Sequence, residues 1–314
     1  MPNPKVIADG PLAPEMTARL SEHVDILPWS VAIEGSAEPV AGIYTYGHPR
    51  VDGAMLDRLP GVRIISNYGV GVDHIVLADA AARKIPVGNT PGVLDGATAD
   101  LAFALLLASA RRLVEGDRYA RSPAFTVYDP GYMLGREVHG ATIGIVGMGR
   151  IGRQIAQRAR GFELRVLYHN RHPRTDLDAG LAARYVTLDE LLKESDYVVL
   201  SVPLTAQTRG LVGQAQFALM KPTATLINVA RGPIVDTAAL TEALVERRIL
   251  AAALDVTDPE PLPRDHPLLA LDNVTIVPHL GSATVQTRQR MADISIENLL
   301  RGLRGEPLLF EVRG

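Results

Sequence analysis

The stretch GIVGMGRIG, residues 144–152, decides the fold of this chain. It continues a short apolar run that begins at Ile143, and an Arg-, Ala- and Gln-rich helical pattern follows it. Its glycines Gly147, Gly149 and Gly152 have the spacing GxGxxG. A strand, a turn of this composition and a helix in succession are typical of a dinucleotide-binding βαβ unit.

Each glycine of the motif has a separate physical role. Gly147 permits a tight turn, Gly149 lets the backbone approach a pyrophosphate, and Gly152 lets the helix pack closely on the strand. The free N–H groups at the helix start, at Arg150 and Ile151, favour the same anion, as does the helix dipole. A glycine turn that packs and binds nothing is the alternative, but the flanking strand and helix favour cofactor binding by these five residues.

Composition argues against several classes of protein. The chain has 314 residues, no cysteine and a net charge of −3. The lack of cysteine excludes disulfides, thiolate metal sites and a cysteine nucleophile, and the small charge gives no reason to expect nucleic acid or an anionic membrane as partner. The N-terminus lacks a signal-peptide pattern, and the most apolar run, residues 101–110, is too short to span a bilayer. We expect a cytoplasmic protein of two domains without a metal.

Short apolar runs alternate with helical patterns along most of the chain, which predicts an α/β fold with parallel sheets and helical crossovers. The predicted strands form a first series at 5–8, 24–27, 42–44, 62–66 and 86–88, and a second at 142–146, 164–168, 197–201, 224–229, 251–255 and 273–277. The predicted helices include 52–59, 74–83, 96–114, 150–162, 188–193, 214–220, 236–247 and 284–303, and residues 116–140 form an irregular stretch.

Three polar residues, Arg231, Glu260 and His279, follow three consecutive strands of the second series. The loops after parallel strands leave the same edge of a sheet, where ligands of open α/β sheets bind. An Arg can hold a carboxylate in two parallel hydrogen bonds, and a His beside a carboxylate can exchange a proton near neutral pH. Taken singly, each could be an ordinary loop residue, but their combination at consecutive strand ends predicts a catalytic set.

The motifs around these residues resemble those of the D-2-hydroxyacid dehydrogenases, the family that includes glyoxylate and hydroxypyruvate reductases. The resemblance covers essentially the full length of the chain. It is carried by GIVGMGRIG at 144–152, INVARG at 227–232, LDVTDPEPL at 254–262, PHLGSA at 278–283, NYGVGVD at 67–73 and RGLV at 209–212.

This resemblance implies two Rossmann-like, doubly wound domains with a cleft between them. A dinucleotide-binding domain at 98–284 would be inserted into a discontinuous substrate-binding domain at 1–97 plus 285–314. Members of the family are usually homodimers built through the nucleotide domain, so residues 116–140 would be a dimer arm. Tyr132 lies where some relatives place an aromatic residue into the partner's pocket.

The resemblance also implies roles for individual residues. His279 would protonate the keto oxygen as hydride arrives from the nicotinamide, and Glu260 would keep His279 in its charged form. Arg231 would bind the carboxylate and carbonyl oxygens of the substrate and polarise the carbonyl. The backbone N–H groups of Val70 and Gly71 would hold the substrate carboxylate from the other domain.

The stretch VLYHNRHPR, residues 166–174, bears on the choice of cofactor. It lies about twenty residues after the glycine turn, where NAD-binding proteins have an acid for the ribose 2′-OH. His169 occupies that position, and Asn170, Arg171 and Arg174 follow it. Since a 2′-phosphate requires an Arg, these residues predict that NADP(H) is preferred, with NAD(H) as the alternative and Arg171 a better ligand candidate than Arg174.

We therefore expect an NADPH-preferring reductase of small 2-keto acids such as glyoxylate and hydroxypyruvate. The family resemblance also implies that Asp255 would contact the carboxamide of the nicotinamide. Reductases of larger acids, such as 2-ketogluconate or phenylpyruvate, and a nucleotide-sensing, corepressor-like binding protein are the alternatives. Formate dehydrogenases carry Gln at the position of Glu260, and phosphite dehydrogenases carry a Lys in the loop at 67–71, so neither pattern matches.

Overall fold

The chain is divided into two compact α/β units. The first comprises Met1–Leu94 and Thr284–Gly314, and the second comprises Asp95–Ala283. The second unit is therefore an insertion in the first. The computed structural model describes residues 2–35, 39–177 and 179–312.

Twelve strands and eleven α-helices are found in the described part of the chain. The strands are β1 Lys5–Ala8, β2 Asp25–Pro28, β3 Val40–Thr45, β4 Ile65–Asn67, β5 Val87–Gly88, β6 Thr142–Val146, β7 Arg165–His169, β8 Arg184–Tyr185, β9 Tyr197–Leu200, β10 Thr225–Asn228, β11 Ala251–Leu254 and β12 Val274–Ile276. The helices are α1 Pro14–Ser21, α2 Ser30–Glu34, α3 Gly53–Arg58, α4 Leu77–Ala82, α5 Asp95–Ala110, α6 Leu113–Ala120, α7 Arg150–Arg160, α8 Leu188–Glu194, α9 Gln214–Phe217, α10 Thr237–Val245 and α11 Val285–Arg304.

The first unit is built on a parallel five-stranded sheet in the order β2-β1-β3-β4-β5. The C-terminal helix α11 packs on β3 and β4 of this sheet. Gly302 of α11 lies against Ile64, where a Cβ would come within 2.5 Å of a side-chain carbon. Close packing of the helix on the sheet therefore requires glycine at this position.

The second unit is built on a parallel seven-stranded sheet in the order β12-β11-β10-β9-β6-β7-β8. Alternate residues of β9 enter two different hydrophobic cores. Val198 and Leu200 pack in one core, and Tyr197 and Val199 pack in the other. The sheet is therefore buried on both faces, as expected of a parallel sheet. The strand order reverses between β6 and β9, and this switch point is where open α/β sheets bind ligands.

The two parallel sheets confirm the predicted α/β, doubly wound fold class. Some local predictions were wrong. The helix predicted at 96–114 ends at Ala110, because Arg112 adopts a left-handed conformation with φ of 51°. α6 then extends into the stretch predicted as irregular, and it has no buried residue that would produce a core-facing apolar pattern. No helix in the described part of the chain has the length and apolar composition needed to cross a bilayer.

The elements missed by the sequence prediction are short or weakly patterned. β8 has only two residues, both exposed, at the edge of the sheet. α1 buries only Met16 and Leu20, and α2 buries only Ala32. Such elements carry too little apolar periodicity to be recognised without the sheets against which they pack.

Candidate active site

The glycine loop joins β6 to α7 at the switch point of the seven-stranded sheet. Gly147 has φ of +103°, a conformation that favours glycine, and a Cβ on Gly152 would come within 2.1 Å of the Gly147 carbonyl oxygen. At Gly149, by contrast, no described atom outside Gly149 and its chain neighbours lies within 4 Å of the position of a Cβ. The open space at Gly149 and the N–H groups at the start of α7 fit the pyrophosphate of a dinucleotide.

The end of β7 lies beside this loop. The Gly147 N–H donates to the His169 carbonyl oxygen at 2.9 Å, and the Met148 N–H donates to Oδ1 of Asn170 at 2.7 Å. The side chain of Asn170, predicted as a cofactor ligand, therefore also holds the glycine loop in place. This role depends on a partner 22 residues away and was not anticipated from the sequence.

The three arginines around this loop differ in their partners. Arg150 forms an ion pair with Asp95 at 2.8 Å, so its predicted contribution to the cofactor rests on its backbone N–H and not on a free guanidinium. Arg174 donates to both carboxylate oxygens of Asp176 at 2.9 and 2.8 Å. Hydrogen bonds from Arg174, and then from Arg153, hold the pKa of Asp176 well below its usual range. Arg171 is exposed and forms no ion pair within the described residues.

His279 and Glu260, which follow β12 and β11, are brought together by the fold. His279 Nδ1 lies 2.7 Å from Glu260 Oε1, and Glu260 Oε2 accepts a hydrogen bond from the Thr257 N–H at 3.3 Å. Because a carboxylate can only accept, Nδ1 is the donor, and Nε2 is the nitrogen that can exchange a proton with a substrate. Both side chains are partly exposed, at 31% and 40%, so a substrate can reach them.

The loop that carries His279 is held by Asp255, which is only 2% exposed. Asp255 Oδ1 accepts from the Leu280 N–H at 2.5 Å, Oδ2 accepts from the Gly281 N–H at 3.0 Å, and its carbonyl oxygen accepts from the His279 N–H at 3.0 Å. Burial raises the pKa of Asp255, and the backbone hydrogen bonds and the nearby His279 oppose that effect. Asp255 thus positions His279, whose φ of 55° is unusual for a residue other than glycine.

Arg231 lies in the loop after β10. The buried Asn228 organises this loop, since its Nδ2 donates to the Arg231 carbonyl oxygen at 2.9 Å and its Oδ1 accepts from the Ala230 N–H at 3.0 Å. A Cβ on Gly232 would come within 1.9 Å of the Thr257 carbonyl oxygen, so this loop packs directly on the loop that leads to Glu260. Asn228 was not predicted, and an amide at the end of an apolar strand was the only signal for it.

Val70 and Gly71, predicted to hold the substrate carboxylate, belong to the first unit. Asn67 Nδ2 donates to the carbonyl oxygens of Gly69 and Gly71 at 3.0 and 2.9 Å, and Asn89 Nδ2 donates to that of Val70 at 2.9 Å. Within the described chain, the N–H groups of Val70 and Gly71 have no acceptor. Their carboxylate-binding role stays a prediction, as does the contact of Asp255 with the nicotinamide.

The second unit therefore gathers the glycine loop and the loops of Arg231, Glu260 and His279 at the carboxyl edge of one sheet. This set can bind an anionic nucleotide, supply a cation for a carboxylate and deliver a proton to an oxygen. No group of three or more His, Asp or Glu side chains that could hold a metal ion is found among the residues described.

Comparisons with known proteins agree with this geometry. A sequence model of the D-isomer specific 2-hydroxyacid dehydrogenases, NAD binding domain, matches residues 103–281. The chain is 44% identical over 312 residues to a glyoxylate reductase of Korarchaeum cryptofilum, covering 96% of this chain and 94% of that protein. It is 47% identical over 271 residues to a glyoxylate reductase of Pyrococcus furiosus, covering 85% and 80% of the two chains.

A solved structure gives the same result. The NADPH-dependent glyoxylate/hydroxypyruvate reductase of Sinorhizobium meliloti, in complex with NADP and malonate, superposes with a TM-score of 0.89. The two chains are 33% identical, and the match covers 99% of this chain and 97% of the other.

Proposed function

The chain belongs to the D-isomer specific 2-hydroxyacid dehydrogenase family, and on that basis we propose that it reduces small 2-keto acids, such as glyoxylate and hydroxypyruvate, to D-2-hydroxy acids with NADPH. The observation that carries this proposal is the 2.7 Å contact between His279 Nδ1 and Glu260 Oε1. It provides an oriented proton donor on the same sheet edge as the glycine loop. The similarity to proteins named glyoxylate reductase supports the substrate class.

In this reaction the bound nicotinamide supplies the hydride, and the residues of the chain supply position, charge and a proton. Arg231 binds the carboxylate of the keto acid and polarises its carbonyl. His279 donates the proton on Nε2 to the keto oxygen, which becomes the hydroxyl of the product. The carboxylate of Glu260 accepts the hydrogen bond from Nδ1–H and so holds the ring in place for this donation.

Initial rates with glyoxylate, hydroxypyruvate, 2-ketogluconate and phenylpyruvate, each with NADH and NADPH, test the proposed function. We expect the highest kcat/KM with glyoxylate or hydroxypyruvate and NADPH. A higher kcat/KM with the larger acids would correct the substrate class. Tight nucleotide binding without turnover of any of the four acids would instead favour a nucleotide-sensing binding protein.

We also propose a preference for NADP(H), supported by the lack of an acid at residue 169 and by Arg171, which forms no ion pair among the described residues. Because Arg174 is already held by Asp176, Arg171 is the better ligand for the 2′-phosphate. Arg171→Ala should raise the Kd of NADPH by about tenfold or more and leave that of NADH nearly unchanged, since one charge-assisted hydrogen bond is worth about 1.5–3 kcal/mol.

Arg174→Ala serves as the matched control for this measurement, because it removes a guanidinium from the same turn. It should change the ratio of the two Kd values little. An NADH efficiency equal to or above that for NADPH, or an Arg171→Ala variant with undiminished NADPH affinity, would contradict the preference.

We further propose that the chain forms a homodimer through the surface at residues 113–134. α6 has no buried residue, and the segment that follows exposes Val127 by 71%, Tyr128 by 79%, Tyr132 by 50% and Leu134 by 73%. An apolar patch of this extent on one unit is typical of a protein interface. A position of Tyr132 in the partner's pocket and a cytoplasmic location stay predictions.

A charge within this patch should separate the subunits. Tyr128→Asp should convert a dimer into a monomer in analytical ultracentrifugation, because burying an unpaired carboxylate in an interface costs several kcal/mol. Ile33→Asp, at an apolar residue in the first unit that is 69% exposed, should leave the dimer intact. A wild-type chain that sediments as a monomer would contradict the proposed dimer.

A further inference from the structure

We propose that the imidazole of His169 binds the 2′ position of the adenosine ribose and makes the choice between NADPH and NADH depend on pH. This inference rests on the proposed function, because it assumes that a dinucleotide binds along the glycine loop. It adds an ionisable side chain to a position for which the sequence predicted only Asn170, Arg171 and Arg174.

The location of His169 follows from its backbone contacts. His169 is the last residue of β7 and pairs in register with Val146, the last residue of β6. Its carbonyl oxygen accepts from the Gly147 N–H at 2.9 Å, so it lies directly beside the glycine loop. In doubly wound units the side chain at the end of the second strand meets the ribose 2′ position.

One ring nitrogen of His169 is engaged, and the other is not. Nδ1 lies 3.0 Å from the carbonyl oxygen of Val186, and because a carbonyl can only accept, Nδ1 keeps its proton in both charge states of the ring. The ring of Tyr185 stacks on the imidazole with centroids 6.2 Å apart and planes 18° apart, which restrains its orientation. Within the described residues Nε2 has no hydrogen-bond partner, and the side chain is partly exposed. Nε2 is therefore the atom available to a ligand, and the atom that gains or loses a proton.

The two charge states of this nitrogen suit the two cofactors. Neutral Nε2 has a lone pair that accepts a hydrogen bond from the ribose 2′-OH of NADH, the role that an acid has in NAD-binding proteins. Protonated Nε2 instead donates to the 2′-phosphate of NADPH and adds a positive charge. Lowering the pH, which favours the protonated ring, therefore favours NADPH, and raising the pH favours NADH.

The elements packed around His169 carry several other charged groups. Of their acids, Asp176 and Glu194 are held in ion pairs, Glu190 is held in the cap of α8, and Asp189 is exposed in the first turn of that helix. His172 is the other histidine, and it therefore provides the control. The charged and titratable groups on these elements are Arg165 and Tyr168 on β7, Arg171, His172, Arg174 and Asp176 in the following turn, Arg150, Arg153, Arg158 and Arg160 on α7, Arg184 and Tyr185 on β8, and Asp189, Glu190, Lys193 and Glu194 on α8.

The test is a fluorescence titration of the full chain with NADPH and with NADH, between about pH 5.5 and pH 8.5. As the pH rises across this range, we expect the ratio of the NADH Kd to the NADPH Kd to fall in the wild type. This fall should be about tenfold larger than in the two His169 variants described below. The 2′-phosphate itself loses a proton near about pH 6, but that change is common to the wild type and to every variant.

Two substitutions separate the ligand role of His169 from a structural one. His169→Asn retains a donor near the Val186 carbonyl oxygen but has no atom at the position of Nε2, and His169→Gln keeps a neutral polar group there. We expect both variants to lose the fall in the ratio, whereas His172→Asn retains it. Melting temperatures close to that of the wild type verify that the variants fold.

Equal pH dependence in the wild type and both His169 variants would overturn the proposal. The same conclusion follows if the variants weaken both nucleotides equally at every pH, or if His172→Asn alone removes the dependence. A different result would contradict the proposed NADP(H) preference. In that case the wild type would bind NADH more tightly than NADPH at every pH, whether or not the ratio of the two Kd values changes with pH.

Discussion

Replacing His279 with Ala is expected to lower kcat by about 10²- to 10⁴-fold, the range typical of general acid catalysis. His279, which is bound to Glu260 at 2.7 Å, is the residue proposed to give the keto oxygen its proton, and alanine removes that donor. The Kd of NADPH should stay within about twofold of the wild type, because interactions made only with the reacting oxygen do not contribute to nucleotide binding.

Stopped-flow single-turnover rates and a nucleotide titration measure these two quantities separately. The kcat of Glu260→Gln should fall between those of the wild type and His279→Ala, since this variant keeps an acceptor for Nδ1–H but removes the negative charge beside the ring. His23→Ala, at an exposed histidine of the first unit, is the control and should leave kcat unchanged. An undiminished kcat in His279→Ala would remove this residue from the mechanism.

Replacing Arg231 with Ala is expected to lower kcat/KM for the keto acid by about 10³-fold or more, with losses in both KM and kcat. The loop that holds Arg231 is built for a fixed position, because Asn228 binds its backbone and Gly232 packs on the loop that leads to Glu260. An interaction that holds the ground-state carboxylate and also polarises the carbonyl contributes to binding and to rate together.

Arg231→Lys tests the geometry of this interaction. A lysine keeps the charge but lacks the planar pair of donors, so we expect it to recover only part of the lost kcat/KM. Arg248→Ala, which breaks a surface ion pair with Glu242, is the control and should retain full activity. If Arg231→Ala changed only the affinity for NADPH, Arg231 would be a nucleotide ligand and not a substrate ligand.

The distribution of apolar residues and glycines was sufficient to predict the main elements of both sheets. The central strands of the second unit, such as β6 and β9, are buried on both faces, so they appear in the sequence as short apolar runs. The glycine motif could be recognised because each of its positions is under a local steric constraint, such as the positive φ of Gly147. Short edge elements such as β8 lack a comparable local signal.

The sequence also identified residues with suitable chemistry, but not their partners. In the structure Arg174 is held by Asp176, whereas Arg171 forms no ion pair among the described residues. The sequence of a turn that contains both arginines does not predict this difference. Likewise, Asp255 was predicted as a nicotinamide contact, yet both of its carboxylate oxygens accept backbone N–H groups of the His279 loop. Its burial and its partners depend on β11 and β12 lying side by side.

The sequence by itself determined the α/β class and the cofactor motif, because turn geometry and apolar periodicity depend on neighbouring residues. Only the tertiary structure decided which nitrogen of His279 faces Glu260, which nitrogen of His169 contacts Val186, and which arginine beside β7 forms no ion pair among the described residues. Hydrogen bonds and ion pairs of this kind join residues brought together by strand order and loop packing, often from distant parts of the chain. Which atom donates and which accepts depends on the atoms that the fold brings together, and the residue types at a given spacing do not specify those atoms.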